Sequence, residues 1–439
     1  MNTRKSIRKN RLIQCIVPLA LVLLLPLCKT MAAPGSPQTA PSVLTYTNPL
    51  PVSIGDPDVL HIPGHYYIYG TGGGTFTSTN LVDWVSAGNT QPRGTNIWFN
   101  GSFWAPETYQ VKDQFYMFYS ANWTNNPNNE RENYRIGVAV ADNPAGPFIN
   151  MTNGPIFDPG YPAIDADVLF DSDGRVYLYY SRCCYKHSVE SELADWARAQ
   201  GWYTNIEESW IYGVELKPDF SGTIGEPVLL LRPPEKLSDP QSAWEDLAVK
   251  SHTVNRRWEE GPNSMKHGGT YYIMYAANSV AAGGDYATGY ATSDKPLGPF
   301  KKATNNPLIY RNTASGGNVT TTAHTCWTTS PDRTELFILY GGILTGARGG
   351  GRGGFGMNPG ASNAPAAQAT NLVSGTNSAT SANLAAAGGR GRGGRGGGGG
   401  GGRRLFLDRL EIKPDGTLVA HSPTVTPQPY PSANKISAK

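Results

Sequence analysis

Charge is scarce in this 439-residue chain: 16% of residues are Asp, Glu, Lys or Arg, and the formal net charge is +3. So small an imbalance gives no reason to expect nucleic acid or a membrane surface as partner. Cysteine is scarcer, with five residues, at positions 15, 28, 183, 184 and 326. The first two fall in an apolar leader. The remaining three are odd in number with two adjacent, so neither a disulfide framework nor a metal-ligand spacing can be read from them. Helical periodicity is nearly missing, with "SVESELADWARAQGW" (188–202) as the clear exception. Long apolar runs are missing too: "CIVPLALVLLLPLC" (15–28) is too short to span a bilayer comfortably. Preceded by Arg4, Lys5, Arg8, Lys9 and Arg11 and followed by Ala32 and Ala33, it reads as an export signal over residues 1–33. That predicts a secreted or periplasmic protein with no membrane partner after cleavage, and a linker over 34–44.

Aromatic residues are plentiful, with 23 Tyr and 10 Trp, and they recur in order. "YYIYG" (66–70), "FYMFY" (115–119), "VYLYY" (176–180), "YYIMY" (271–275) and "LFILY" (336–340) each follow a turn-like group. Runs of this length and composition, entered from Gly- and Asp-bearing turns, are strands of hairpins. "ADNPAGPF" (141–148) and "SDKPLGPF" (293–300) are near copies, placing the same outer turn in two units. Five sheet units with one helical insertion predict an all-β fold, a single five-bladed β-propeller over residues 45–430 with a short tail over 431–439. Residues 346–402 depart from the pattern. They are rich in Gly, Ala, Ser, Asn and Arg and end in "GGRGRGGRGGGGGGGRR". Too little apolar surface is present there to offset ordering entropy, which predicts a disordered Gly/Arg-rich loop inside the last blade. Its Arg-Gly spacing would suit a phosphate backbone, but with one aromatic, Phe355, and an export signal upstream, no nucleic-acid partner is expected.

Polar residues stand at similar distances upstream of each aromatic run: Asp56 in "GDPDV", Glu107 in "WAPE", Asp165 in "AIDADV", Glu260 in "WEEGP" and His324 in "TTAHTCW". The innermost strands of a propeller line a central channel, so equivalent positions converge around one axis. Like charges in a confined ring raise one another's pKa values, a conflict typical of catalytic sites. Glycoside hydrolysis needs such a set: a carboxylic acid to protonate the leaving oxygen and a carboxylate to activate water on the opposite face. A separation of about 6.5–9.5 Å admits that water and inverts the anomeric centre.

Taken together, "GDPDV", "WAPE", "AIDADVLFDSDG", "EGP" and the late His followed by "RRLFLDRL" resemble glycoside hydrolase family 43, five-bladed propellers of the arabinofuranosidase, xylosidase and arabinanase group. The resemblance implies Asp56 as general base, Glu260 as general acid, and Asp165 as the residue that tunes the acid and orients the sugar. It further implies sugar contact by Glu107 and an arginine, Arg403, on the base side. His324 matches an axial histidine beside which some members hold a calcium or other ion; no cofactor is otherwise required. Trp98, Phe99 and Trp104 are either a stacking wall for sugar or core packing. The expected substrate is an arabinose- or xylose-containing polysaccharide or oligosaccharide, cleaved at terminal α-L-arabinofuranosyl or β-D-xylosyl residues. Endo-1,5-α-L-arabinanase action and a non-catalytic carbohydrate-binding propeller are the alternatives.

Overall fold

A computed structural model of the chain describes residues 44–127, 133–183, 187–280, 285–345 and 402–433. The expected export signal, residues 34–43 of the linker, Cys184, the Gly/Arg-rich tract up to residue 401 and the tail from 434 lie outside the described residues. Leu44 onward forms one compact unit. Each aromatic run is the second strand of a four-stranded antiparallel blade. Blade 1 comprises Asp58–Ile62, His65–Tyr69, Gly74–Ser78 and Val85–Asn89; blade 2 comprises Trp104–Val111, Gln114–Asn122, Tyr134–Ala141 and Ile149–Asn150. Blade 3 comprises Ala163–Phe170, Val176–Arg182, Glu207–Leu216 and Thr223–Leu231, and blade 4 Arg256–His267, Thr270–Asn278, Ala287–Ser293 and Lys301–Lys302. Blade 5 takes Val319–Thr329 and Leu336–Leu344 from before the tract, and Arg404–Ile412 and Leu418–Ala420 from after it. The protein is a five-bladed β-propeller.

The near-continuous apolarity of the aromatic runs has a simple cause: both faces of each second strand are covered. Successive side chains point to opposite faces. Tyr66 and Ile68 pack with Phe337 and Leu339 of blade 5, whereas Tyr69 packs with Met117 and Tyr119 of blade 2. Phe118 joins Leu178 and Tyr180; Tyr177 and Tyr179 join Ile273 and Tyr275; Tyr272 and Met274 join Ile338 and Tyr340. Five apolar layers thus close a circle, each between neighbouring blades. Burying one such side chain contributes about 1.5–3 kcal/mol. The ring is sealed by both ends of the described chain, because Thr45–Tyr46 pairs with Gln428–Pro429 and the Leu50 amide donates to the Leu405 carbonyl (2.8 Å).

The expected helical insertion is Glu192–Ala199, capped by Ser191, whose side chain accepts from the Ala194 amide. Two single-turn helices, Ser242–Glu245 and Leu247–Lys250, were not expected, since four residues are too few to show a period. They matter for the site. Arg257, fully buried, reaches Asp246 between them (2.7 Å) and Glu208 of blade 3 (2.5 Å). Glu207–Ser209 also pairs in parallel with Arg256–Trp258, tying blade 3 to the start of blade 4. The segment that leads into Glu260 is therefore fixed before it reaches the axis.

Candidate active site

Near the axis the innermost strands share a kink. Asp56, Ala105, Asp165, Gly261 and His324 all have left-handed backbone, with φ of 51°, 39°, 56°, 58° and 61°. In blades 2 to 5 the pairing register shifts at this point, which marks a β-bulge. The bulges re-aim the chain, so that side chains beside the kink face a central pocket lined by Asp56, Thr71, Trp104, Asp165, Glu260, Tyr286, His324 and Arg403, among others. Left-handed backbone is costly for residues other than glycine and clusters at functional sites. In blade 4 the kink falls on glycine, which takes this backbone without strain, and a Cβ on Gly261 would crowd the His324 ring at 3.0–3.2 Å.

Asp56 is clasped by a cation. Arg403 donates to both of its oxygens, Nη1 to Oδ1 at 2.6 Å and Nη2 to Oδ2 at 3.1 Å, and the Thr71 hydroxyl donates to Oδ2. The His324 Nδ1 stands 3.2 Å from Oδ1. Gly55 makes room for the guanidinium, since a Cβ there would lie 2.4 Å from Nη2. Burial alone pushes the carboxyl up, but Arg403, His324 and these hydrogen bonds together hold it well below the usual carboxylate range.

Glu260 is the opposite case. Burial, then the charge of Asp165, push it well above the usual range, and hydrogen bonding from the Tyr286 hydroxyl to Oε1 (2.8 Å) offsets only part of this. Asp165 accepts from the Gly261 amide (3.2 Å), one residue along from the acid, and is itself raised by burial to about 6. Two carboxyl groups in one pocket thus have pKa values driven apart, Asp56 downward by its cation and Glu260 upward by burial and Asp165. The neighbouring Glu259 faces away from the pocket: fully buried, it pairs with Lys302, which also binds Glu245 (2.6 Å).

Glu107 stands elsewhere than a sugar contact requires. It does not line the pocket; its partner is the Tyr109 hydroxyl at 2.5 Å, and the charges of Asp167 and Asp58 act on it. The register explains this. Asp58, Glu107, Asp167 and Asn263 pair with Tyr69, Phe118, Tyr179 and Met274, equivalent positions of the four second strands, and each stands two residues beyond its blade's kink. Glu107 belongs to this deeper layer, and Ala105 occupies the kink of blade 2. Arg403 does line the pocket, and its guanidinium is engaged with Asp56. Trp104 lines it with its ring 4.3 Å from that of Tyr134, whereas Trp98 and Phe99 are core. Calcium seeks six to eight oxygen ligands. His324 offers a nitrogen whose Nδ1 side faces Asp56, and among the described residues no three His, Cys, Asp or Glu are grouped to hold an ion.

Thr71, Trp258, Tyr286, Ile164, Val280 and Cys183 also line the pocket and carried no sequence expectation of doing so. Trp258 alone left a signal, as the aromatic just before the paired glutamates. Ile164 stands inside "AIDADV" beside Asp165, but nothing in that motif marks it as pocket-facing; the others lie at strand ends and in loops outside the quoted motifs.

Comparison with known proteins agrees with this architecture. The family description "Glycosyl hydrolases family 43" matches residues 46–358. The chain is 24% identical over 289 residues to extracellular endo-α-(1→5)-L-arabinanase 2 of Bacillus subtilis (strain 168), covering 59% of this chain and 52% of that one. It is 28% identical over 220 residues to xylosidase/arabinosidase 43A of Humicola insolens, covering 46% and 58% respectively. The chain therefore spans only about half the length of these curated relatives. Among solved structures, a thermostable family-43 glycoside hydrolase superposes with a TM-score of 0.64 at 30% identity, covering 89% of this chain and 100% of that one. The chain belongs to glycosyl hydrolases family 43.

Proposed function

We propose that this chain is an inverting exo-glycosidase that removes terminal α-L-arabinofuranosyl residues, or β-D-xylosyl residues, from plant polysaccharides or their oligosaccharides. The observation that carries the reading is the opposed surroundings of two carboxyls in one pocket: Asp56 is clasped by Arg403, which draws its pKa down, and Glu260 is buried beside Asp165, which pushes its pKa up. Asp56 takes a proton from a water molecule as its oxygen bonds to the anomeric carbon. Glu260 gives its proton to the glycosidic oxygen as the carbon–oxygen bond breaks, and the bond electrons stay with the leaving oxygen. Asp56 ends protonated and Glu260 ionised, and exchange with solvent resets both. Apolar walls at Trp104, Ile164, Trp258 and Val280 support capture of one sugar ring, and the arabinanase and xylosidase/arabinosidase relatives support a pentose.

The test is a panel of aryl α-L-arabinofuranosides and β-D-xylosides, with the first-formed product anomer read by NMR. Hydrolysis with inversion is expected. Retention would overturn the mechanism. Sugar binding without hydrolysis of either class would instead establish a carbohydrate-binding propeller, and faster cleavage inside linear arabinan than at its ends would overturn exo action.

A further inference from the structure

We infer that Tyr286 is a positioning residue that dictates which oxygen of Glu260 carries the transferable proton. The inference rests on the glycosidase reading above. The Tyr286 hydroxyl donates to Glu260 Oε1 at 2.8 Å, and both residues are buried. A neutral carboxylic acid has one proton. With Oε1 engaged as acceptor, that proton resides on Oε2, so the acid is offered from a defined atom. When Oε2 gives its proton to the glycosidic oxygen, Glu260 becomes a carboxylate and the same phenol stabilises it. Hydrogen bonds to charged groups are the stronger kind, so the contact strengthens as the proton leaves.

The phenol is itself held in place. Tyr286 packs against Ala276, Ala323 and Val280, between blades 4 and 5, and its carbonyl accepts from the Thr322 amide at 3.1 Å. Burial pushes the phenol well above its ordinary range, so it remains a donor across the working pH. The other charges facing this pair are Asp165, Asp56 and Arg403, with His324 beside Gly261.

The experiment compares wild type with Tyr286→Phe on two glycosides of whichever pentose the wild type cleaves, one with a dinitrophenyl and one with an alkyl leaving group. Dinitrophenolate departs without protonation, whereas an alkoxide needs it. Loss of the contact is expected to lower kcat/KM for the alkyl glycoside by about tenfold or more, with little change for the dinitrophenyl glycoside. Because the lost donor favours the carboxylate, the alkaline limb of kcat/KM moves to higher pH. Site-specific 3-fluorotyrosine at 286, a stronger donor of nearly the same shape, shifts it slightly lower and replaces the test should the Phe variant melt early. Equal losses on both glycosides, or limbs that stay put, would show a merely structural role and overturn the inference. A wild type that cleaves neither glycoside would sink the glycosidase reading first, a result separable from an active enzyme indifferent to Tyr286.

Discussion

Two layers of carboxyl groups line this molecule's axis, two residues apart on the same strands, and they behave differently. The layer facing the pocket contains Asp56 and Asp165 beside Glu260, with a guanidinium and an imidazole among them. The deeper layer contains Asp58, Glu107 and Asp167, where the main influences are burial, one another, and hydrogen-bond donors such as the Thr108 and Ser264 amides. In the deeper layer every carboxyl moves the same way: Asp58 to about 7, Asp167 to about 6, and Glu107 well above its usual range. In the pocket Arg403, with His324 and the Thr71 hydroxyl, draws Asp56 down while Glu260 moves up. Acidic residues around an axis give shared protonation; an asymmetric counter-charge turns shared protonation into a division of labour.

The largest effect that could break this comparison is on turnover. Glu260→Gln should lower kcat/KM by about 10²–10⁴-fold on substrates with poor leaving groups while leaving sugar binding measurable by calorimetry. Glu107→Gln, in the other layer, should cost less than about tenfold; parity between the two would erase the distinction. Next comes the cation. Arg403→Gln should raise the pKa of Asp56, so the acidic limb of the pH–rate profile should move to higher pH, with a stability loss of about 3–5 kcal/mol from the unpaired buried charge. An unmoved acidic limb would mean that Arg403 does not set the base.

The deeper layer should show in stability instead. Its carboxyls have folded pKa values raised above the unfolded ones, so their stabilisation is complete below about pH 4 and is lost as pH rises through about 6 to 7. Asp58→Asn combined with Asp167→Asn should flatten the fall in melting temperature between pH 4 and 8, which scanning calorimetry can follow. The smallest effect is steric. Gly261→Ala places a side chain at φ 58° and against His324, and should cost about 1–3 kcal/mol in denaturant unfolding.

The blades were legible because each second strand is buried on both faces and so writes an uninterrupted aromatic signature. Glu260, Asp56 and Asp165 were legible because their motifs stand in order before those strands. The kink was not legible, since backbone handedness leaves little trace in side chains. It shows only in hindsight, as "DPD", "APE", "DAD", "GPN" and "HTC", whose first residues are left-handed and whose third residues form the deeper layer in the first four blades. Without that register Glu107 looks equivalent to Asp56, when its true counterpart is Asp58. Tyr286 and Thr71 escaped notice for another reason: each stands just outside the end of a strand, where the repeating pattern does not say which way a side chain points.

The clasp between Asp56 and Arg403 joins the first blade to the last. A nascent chain therefore carries Asp56 from the outset, but without the guanidinium that draws its pKa down until nearly all of the sequence has been made. The charge asymmetry of the pocket arrives together with closure of the circle, so fragments lacking the final strands would be both unsealed and without the counter-charge of Asp56.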